Sequence, residues 1–152
     1  MKNYMLETTW LKLLGEADRL RKNLTNDVAK DIESGYETGG GWHDNALYES
    51  ALTDQVVVAS KLLEISRLLQ HPTFIEGLEI SGDTVTIGVK ITIKRGGEQE
   101  KYKLLGQADA KYDETVLQIN APLAKCLLGH KRGETVQWRN EQLEILQIEK
   151  LF

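Results

Sequence analysis

The first proline of this 152-residue chain is Pro72, and the only other one is Pro122. A proline inside a helix costs about 3 kcal/mol, so the proline-free first 71 residues can form long helices. Their apolar residues ask for them. Leu6, Trp10, Leu13, Ala17, Leu20, Leu24, Val28 and Ile32 recur at steps of three and four, which lays one stripe along a helix and does not fit a strand. A second stripe runs through Leu47, Ala51, Val58, Leu62, Ile65 and Leu69, with Asp54 at its skipped position. Asp54 either sets the helix register or lies at the edge of the stripe. Between the stripes, Gly39-Gly40-Gly41 stops helix propagation. Each stripe is too narrow to centre a large core, but two such helices can satisfy each other as an antiparallel coiled-coil hairpin. A helix of ~30 residues is about 45 Å long, so residues 1–71 are expected to form a rod with its tip near 36–45.

After Pro72 the period changes. Val85, Ile87, Val89, Ile91 and Ile93 alternate with polar residues, as a strand requires. Gly96-Gly97 reads as a hairpin turn into a strand through Tyr102, Leu104 and Leu105 that ends at Gly106. Val116, Leu117 and Ile119 suggest a short extended piece. Leu123 to Leu128, between Pro122 and Gly129, reads as a short helix with a glycine stop, and Val136, Trp138, Leu143, Ile145 and Ile148 as a closing pair of strands. Residues 72–152 are therefore expected to form a small α+β domain, near the lower size limit for folding alone.

Composition excludes several classes. The 41% hydrophobic and 28% charged content is that of a globular chain. No apolar run approaches the ~20 residues of a membrane span, and Glu7, Glu16 and Asp18 near the start do not suit a secretory signal. The single cysteine, Cys126, can form neither an internal disulfide nor a Cys-based zinc cage. A reducing, cytoplasmic setting is the expectation, with Cys126 a small core residue. The net charge of −4 gives no global reason to bind nucleic acid.

A helical rod, a glycine-rich tip and a small β-rich domain, in that order, lead to a resemblance. Gly40-Gly41-Trp42-His43-Asp44-Asn45-Ala46-Leu47-Tyr48 resembles the Gly-Asp-Leu-Ser-Glu-Asn-Ala-Glu-Tyr segment of the Gre family of bacterial transcription elongation factors. Leu105-Gly106-Gln107-Ala108-Asp109 is similar to that family's Val-Gly-x-x-Glu-Ala-Asp stretch. Ile119 to Ala124 resembles its Ile-Ser/Asp-Ser-Pro-Leu-Ala segment, and Leu128 to Val136 its Leu-x-Gly-Lys-x-x-Gly-Asp-x-Val turn. Each motif alone is weak; their shared order and spacing are fairly specific.

The resemblance implies a coiled coil that enters the secondary channel of bacterial RNA polymerase, followed by an FKBP-like domain that docks on the channel rim through Asn120, Pro122 and Leu123. It implies contact with transcript RNA only indirectly, and neither a membrane nor a small-molecule substrate. It also implies a factor that is not itself an enzyme and has no cofactor of its own: two tip acids help hold a Mg²⁺ of the polymerase, since a hard cation takes oxygen ligands and activates water for phosphoryl chemistry. Carried over by position, one acid falls on Asp44 and the other on Gly41, which has no side chain; Leu47 also replaces a glutamate. Glu37, on the other side of the tip, is a speculative second carboxylate.

Trp42, His43, Asn45 and Tyr48 are the candidate contact residues of the tip, and the tip residues also have plainer roles. Asp44 or Asn45 suits the cap of the second helix, worth about 1 kcal/mol. Trp42 is either an exposed contact or packs on Tyr36 or Tyr48. His43 beside one aspartate is a poor metal site, and the glycine triplet lacks the Gly-Lys-Ser/Thr ending of a phosphate-binding loop. Lys12, Arg19, Arg21, Lys22 and Lys30 are interleaved with Asp18, Asp27 and Asp31, which reads as a mixed solvated face. Pro122 also suits the first position of a helix. The function expected is modulation of elongation from within the channel, with or without stimulation of transcript cleavage. A prolyl isomerase or chaperone is the rival, although the aromatics of the second half do not cluster in sequence.

Overall fold

The computed structural model describes residues 2–28 and 46–152. The expected tip residues Glu37, Gly41, Trp42, His43, Asp44 and Asn45 lie outside them, as does the side chain of Tyr48. The elements run β1 (Asn3–Met5), α1 (Glu7–Lys22), a π-helical turn (Asn23–Val28), α2 (Ala46–Leu69), β2 (Pro72–Phe74), β3 (Val89–Arg95), β4 (Glu98–Leu105), β5 (Val116–Gln118), α3 (Pro122–Leu127), β6 (Thr135–Trp138) and β7 (Glu141–Lys150). Short 3₁₀ turns occupy Ile75–Gly77 and Asp109–Lys111.

The chain divides into two compact units. One is Leu11–Gln70; the other joins Met1–Trp10 to His71–Phe152. In the helical unit, Leu13, Ala17 and Ile65 of the two stripes are buried, and Asp54 is exposed, at the edge of its stripe. Leu11, Leu14, Leu52, Val56, Val57 and Leu63 leave apolar surface in solvent. After α2, His71 adopts a left-handed φ of 48° and Pro72 opens β2.

The second unit is built on a five-stranded sheet in the order β5-β4-β3-β7-β6, antiparallel except for the parallel β4–β5 pair. Gly96 and Gly97, at φ 57° and 85°, make the β3–β4 turn that the sequence signals. The expected strand over 85–93 starts only at Val89. Gly88 breaks the extended run at φ 88°, a geometry that favours glycine, and its N–H donates to the carbonyl of Leu104 at 2.7 Å. Val85 stays in the core by pairing with the turn after α3: its N–H donates to the His130 carbonyl at 2.8 Å, and its own carbonyl accepts from Gly129.

Val89, Ile91 and Ile93 of β3, Leu104 of β4, Leu143 and Ile145 of β7 and Val136 of β6 form one buried cluster, closed by Ala124 and Leu127 of α3. Pro122 stands in the first turn of α3, Ala121 before it is extended, and Gly129 after it is left-handed at φ 82°. Cys126 is half-buried rather than fully in the core, with Sγ 3.4 Å from the Gln137 carbonyl.

The units do not divide cleanly at residue 71 as the sequence suggests. β1 pairs in parallel with β2 (Asn3 with Pro72, Met5 with Phe74), Met5 is fully buried, and Trp10 meets Phe74 edge-on at 5.8 Å. The chain thus begins in the sheet-bearing unit and returns to it after the helices.

Candidate functional site

Two carboxylates hold the start of α1. Leu6 is the residue before the helix, since its carbonyl accepts the first helical hydrogen bond from Trp10. The Leu6 N–H donates to Asp109 Oδ1 at 3.0 Å, and the Glu7 N–H to both Glu76 oxygens at 3.0 and 3.2 Å. These amides are among those that a helix leaves without internal partners, and its positive N-terminal end favours anions there. Asp109 is 2% exposed, and its other oxygen, Oδ2, accepts from the Gly106 N–H at 2.9 Å. The stretch Leu105–Asp109, picked out by family resemblance, is thus a clamp that joins the turn after β4 to the chain's first residues.

Beside this clamp lies a cleft of about 260 Å³ lined by Lys2, Asn3, Tyr4, Gly106, Gln107, Ile119, Asn120, Lys125 and Leu128. Three separate sequence signals meet here: the Gly106 turn, the Ile119-Asn120 segment and the short helix. Of the three residues assigned to partner binding, Asn120 lines the cleft. Pro122 is exposed and Leu123 half-buried in the adjacent first turn of α3. The contribution of Lys2, Asn3 and Tyr4 has no sequence signal, because a three-residue strand shows no periodicity.

The turn Leu128–Val136, also picked out by family resemblance, is held by ordinary polar geometry. His130 Nδ1 lies 2.6 Å from Glu134 Oε2, and this contact holds the Glu134 carboxyl below its usual range. The loop before β5 is fixed by Asp113, whose Oδ1 accepts from the Thr115 hydroxyl at 2.6 Å and the Thr115 N–H at 2.9 Å, while Oδ2 lies 3.0 Å from Lys103 Nζ. These bonds, the Thr115 hydroxyl first, lower the Asp113 pKa from 3.8 to about 2. A depressed carboxyl stabilises the fold fully above pH 3.8 and loses that contribution as pH falls through about 2. Asp113→Asn is therefore expected to lower the melting temperature at pH 6 and to show a much smaller deficit near pH 2. An equal deficit at both pH values would show that the charge is not the cause.

Among the described residues no group of three or more His, Cys, Asp or Glu side chains is placed to hold a metal, and no helix is long and apolar enough to cross a membrane. The aromatics are dispersed: Phe74 packs on Trp10, the Tyr102 hydroxyl donates to Glu100, and Trp138 lies under Arg139.

Comparison with known proteins bears on most of the chain. Residues 80–150 match the family profile described as "Transcription elongation factor, GreA/GreB, C-term". The chain is 32% identical over 128 residues to transcription elongation factor GreA of Thermotoga neapolitana, covering 83% of this chain and 81% of that one. It is 31% identical over 127 residues to GreA of Listeria welshimeri, covering 82% and 79%. The solved structure of GreA factor homolog 1 (Gfh1) of Thermus thermophilus aligns over 98% of this chain and 99% of that one, at 17% identity and a TM-score of 0.45. On the strength of the sequence relatives, which span most of both chains, the protein belongs to the GreA/GreB family of transcription elongation factors.

Proposed function

We propose that this chain binds bacterial RNA polymerase, docks through the Asn120–Leu123 side of its sheet-bearing unit, and carries the tip between α1 and α2 into the secondary channel to modulate elongation. The observation that carries this reading is the family membership, together with the convergence of separate family-like segments on one cleft. The five-stranded sheet with one short helix across it supports an FKBP-like architecture for the docking unit, and the paired apolar stripes support a coiled coil for the rod. The dispersed aromatics count against a proline-binding pocket and so against the isomerase reading. The setting that goes with this function is the bacterial cytoplasm.

The tip would act on a Mg²⁺ bound by the polymerase and not by this chain. Asp44 supplies one carboxylate; Gly41 supplies none where a second is expected. With a single anionic ligand the cation is held less firmly and water is positioned less well. The test is transcript cleavage in backtracked complexes with Mg²⁺. The wild-type chain is expected to stimulate cleavage weakly, Asp44→Ala to abolish the stimulation, and Gly41→Asp to raise it by about tenfold, equivalent to ~1.4 kcal/mol of barrier. If Glu37→Ala cleaves at the wild-type rate, Glu37 has no part in the chemistry. A chain that binds the polymerase yet stimulates nothing, even with Gly41→Asp, would instead be a channel-occupying regulator, a reading that the missing acid favours.

A further inference from the structure

The cleft beside Asn120 is electrically one-sided. Two of its nine lining residues, Lys2 and Lys125, are cations, and none is an acid, on a chain whose formal net charge is −4. Both lysines are exposed. Among the described residues neither has a carboxylate at ion-pair distance. The nearest buried acid, Asp109, has its oxygens committed to the amides of Leu6 and Gly106. Between the lysines, Ile119, Leu128 and Gly106 supply apolar lining, while Asn3, Gln107 and Asn120 add hydrogen-bonding groups. At about 260 Å³ the space suits one or two side chains rather than a helix or a nucleotide.

We infer that this cleft receives an acidic side chain of the polymerase, an aspartate or glutamate with an apolar neighbour beside it, and that Lys2 and Lys125 are its cationic partners. The inference rests on the docking reading above and names the chemistry of the occupant. An apolar lining flanked by two cations matches a carboxylate and its apolar neighbour on a protein surface. A phosphate backbone would make no use of Ile119 and Leu128, and the negative chain would repel it at long range. Exposed lysines pay little until a partner covers them, so their contribution appears in association rate and salt dependence as well as affinity. The site is also composite. Lys2 precedes β1, and β1 is placed by its pairing with β2 and by the clamp at Gly106 and Asp109. The first residues of the chain are therefore part of the docking surface, although they lie far in sequence from Asn120.

The experiment titrates the full chain against purified bacterial core RNA polymerase at low and moderate salt. Lys125→Glu and Lys2→Glu are each expected to weaken binding by about fivefold or more and to flatten its salt dependence. Lys125→Arg should keep most of the affinity, and Lys131→Glu, outside the cleft lining, should change little. Both lysines are solvent-exposed, so the variants should melt as the wild type does. Wild-type binding with both glutamate variants within twofold would overturn the inference and leave the docking reading standing. No wild-type binding would overturn both. Direct, Lys125-dependent binding of a fluorescein-labelled oligo(U) to the chain alone would assign the cleft to phosphate and overturn it as well.

Discussion

Asp109→Ala is expected to destabilise the sheet-bearing unit by about 2–4 kcal/mol. The side chain is 2% exposed and accepts hydrogen bonds from backbone, Leu6 N–H on one oxygen and Gly106 N–H on the other. Alanine leaves both donors facing protein with no acceptor, and each such orphan costs about 1–3 kcal/mol. Water cannot readily replace the carboxylate at the buried Gly106 amide. Asparagine is expected to fall between, since it keeps one acceptor oxygen but turns an NH₂ toward the other amide. Urea denaturation gives the magnitude. Location can be read from hydrogen exchange, where the Leu6 and Gly106 amides should lose protection together, and from Trp10 fluorescence, because Trp10 packs on Phe74 within the same unit. An alanine variant within about 0.5 kcal/mol of the wild type, with Leu6 still protected, would mean that the clamp is ornamental.

Much of this fold can be read from sequence because its longer elements advertise themselves through side-chain period and turn chemistry. Ile91 and Ile93 alternate with lysine and threonine, Gly96-Gly97 supplies two left-handed positions, and Pro122 and Gly129 bracket α3. What stays hidden is what backbone does at long range. β1 and β2 are three residues each, too short for a period, and they pair Asn3 with Pro72 across the whole helical segment. Asp109 and Glu76 act on main-chain amides, so nothing in the identity of Leu6 or Glu7 points back to them. The expected boundary at residue 71 takes no account of the first ten residues, which group with His71–Phe152. Likewise Val85 and Ile87 continue the alternation of β3, but Gly88 ends the strand for a reason that periodicity does not carry. The site shows the same split. Asn120, named from its motif, lines the cleft, while the contribution of Lys2 and Tyr4 becomes visible only once β1 is placed.

Gly106→Ala is expected to cost about 1–3 kcal/mol, the range for overpacking a filled interior. Gly106 is not at a left-handed φ, so backbone freedom is not what requires glycine there. The reason is steric. A Cβ at this position would overlap the carbonyl oxygen of Tyr4 and come within 2.7 Å of its carbonyl carbon, and neither atom can rotate away as a side chain would. β1 would have to shift, loosening its pairing with β2, the Leu6–Asp109 bond and the lining that Lys2 and Tyr4 give the cleft. The control is Gly133→Ala: there a Cβ meets nothing within 4 Å, so its cost comes only from the φ of 88° and stays away from β1. Because Gly106→Ala and Asp109→Ala would both release the same strand, their effects should not add. A double-mutant cycle is expected to give a combined loss smaller than the sum by at least about 0.5 kcal/mol, since a strand freed by one change has little left to lose to the other. Strict additivity would show that the turn and the carboxylate hold β1 independently, and the clamp would then have to be described as two separate attachments.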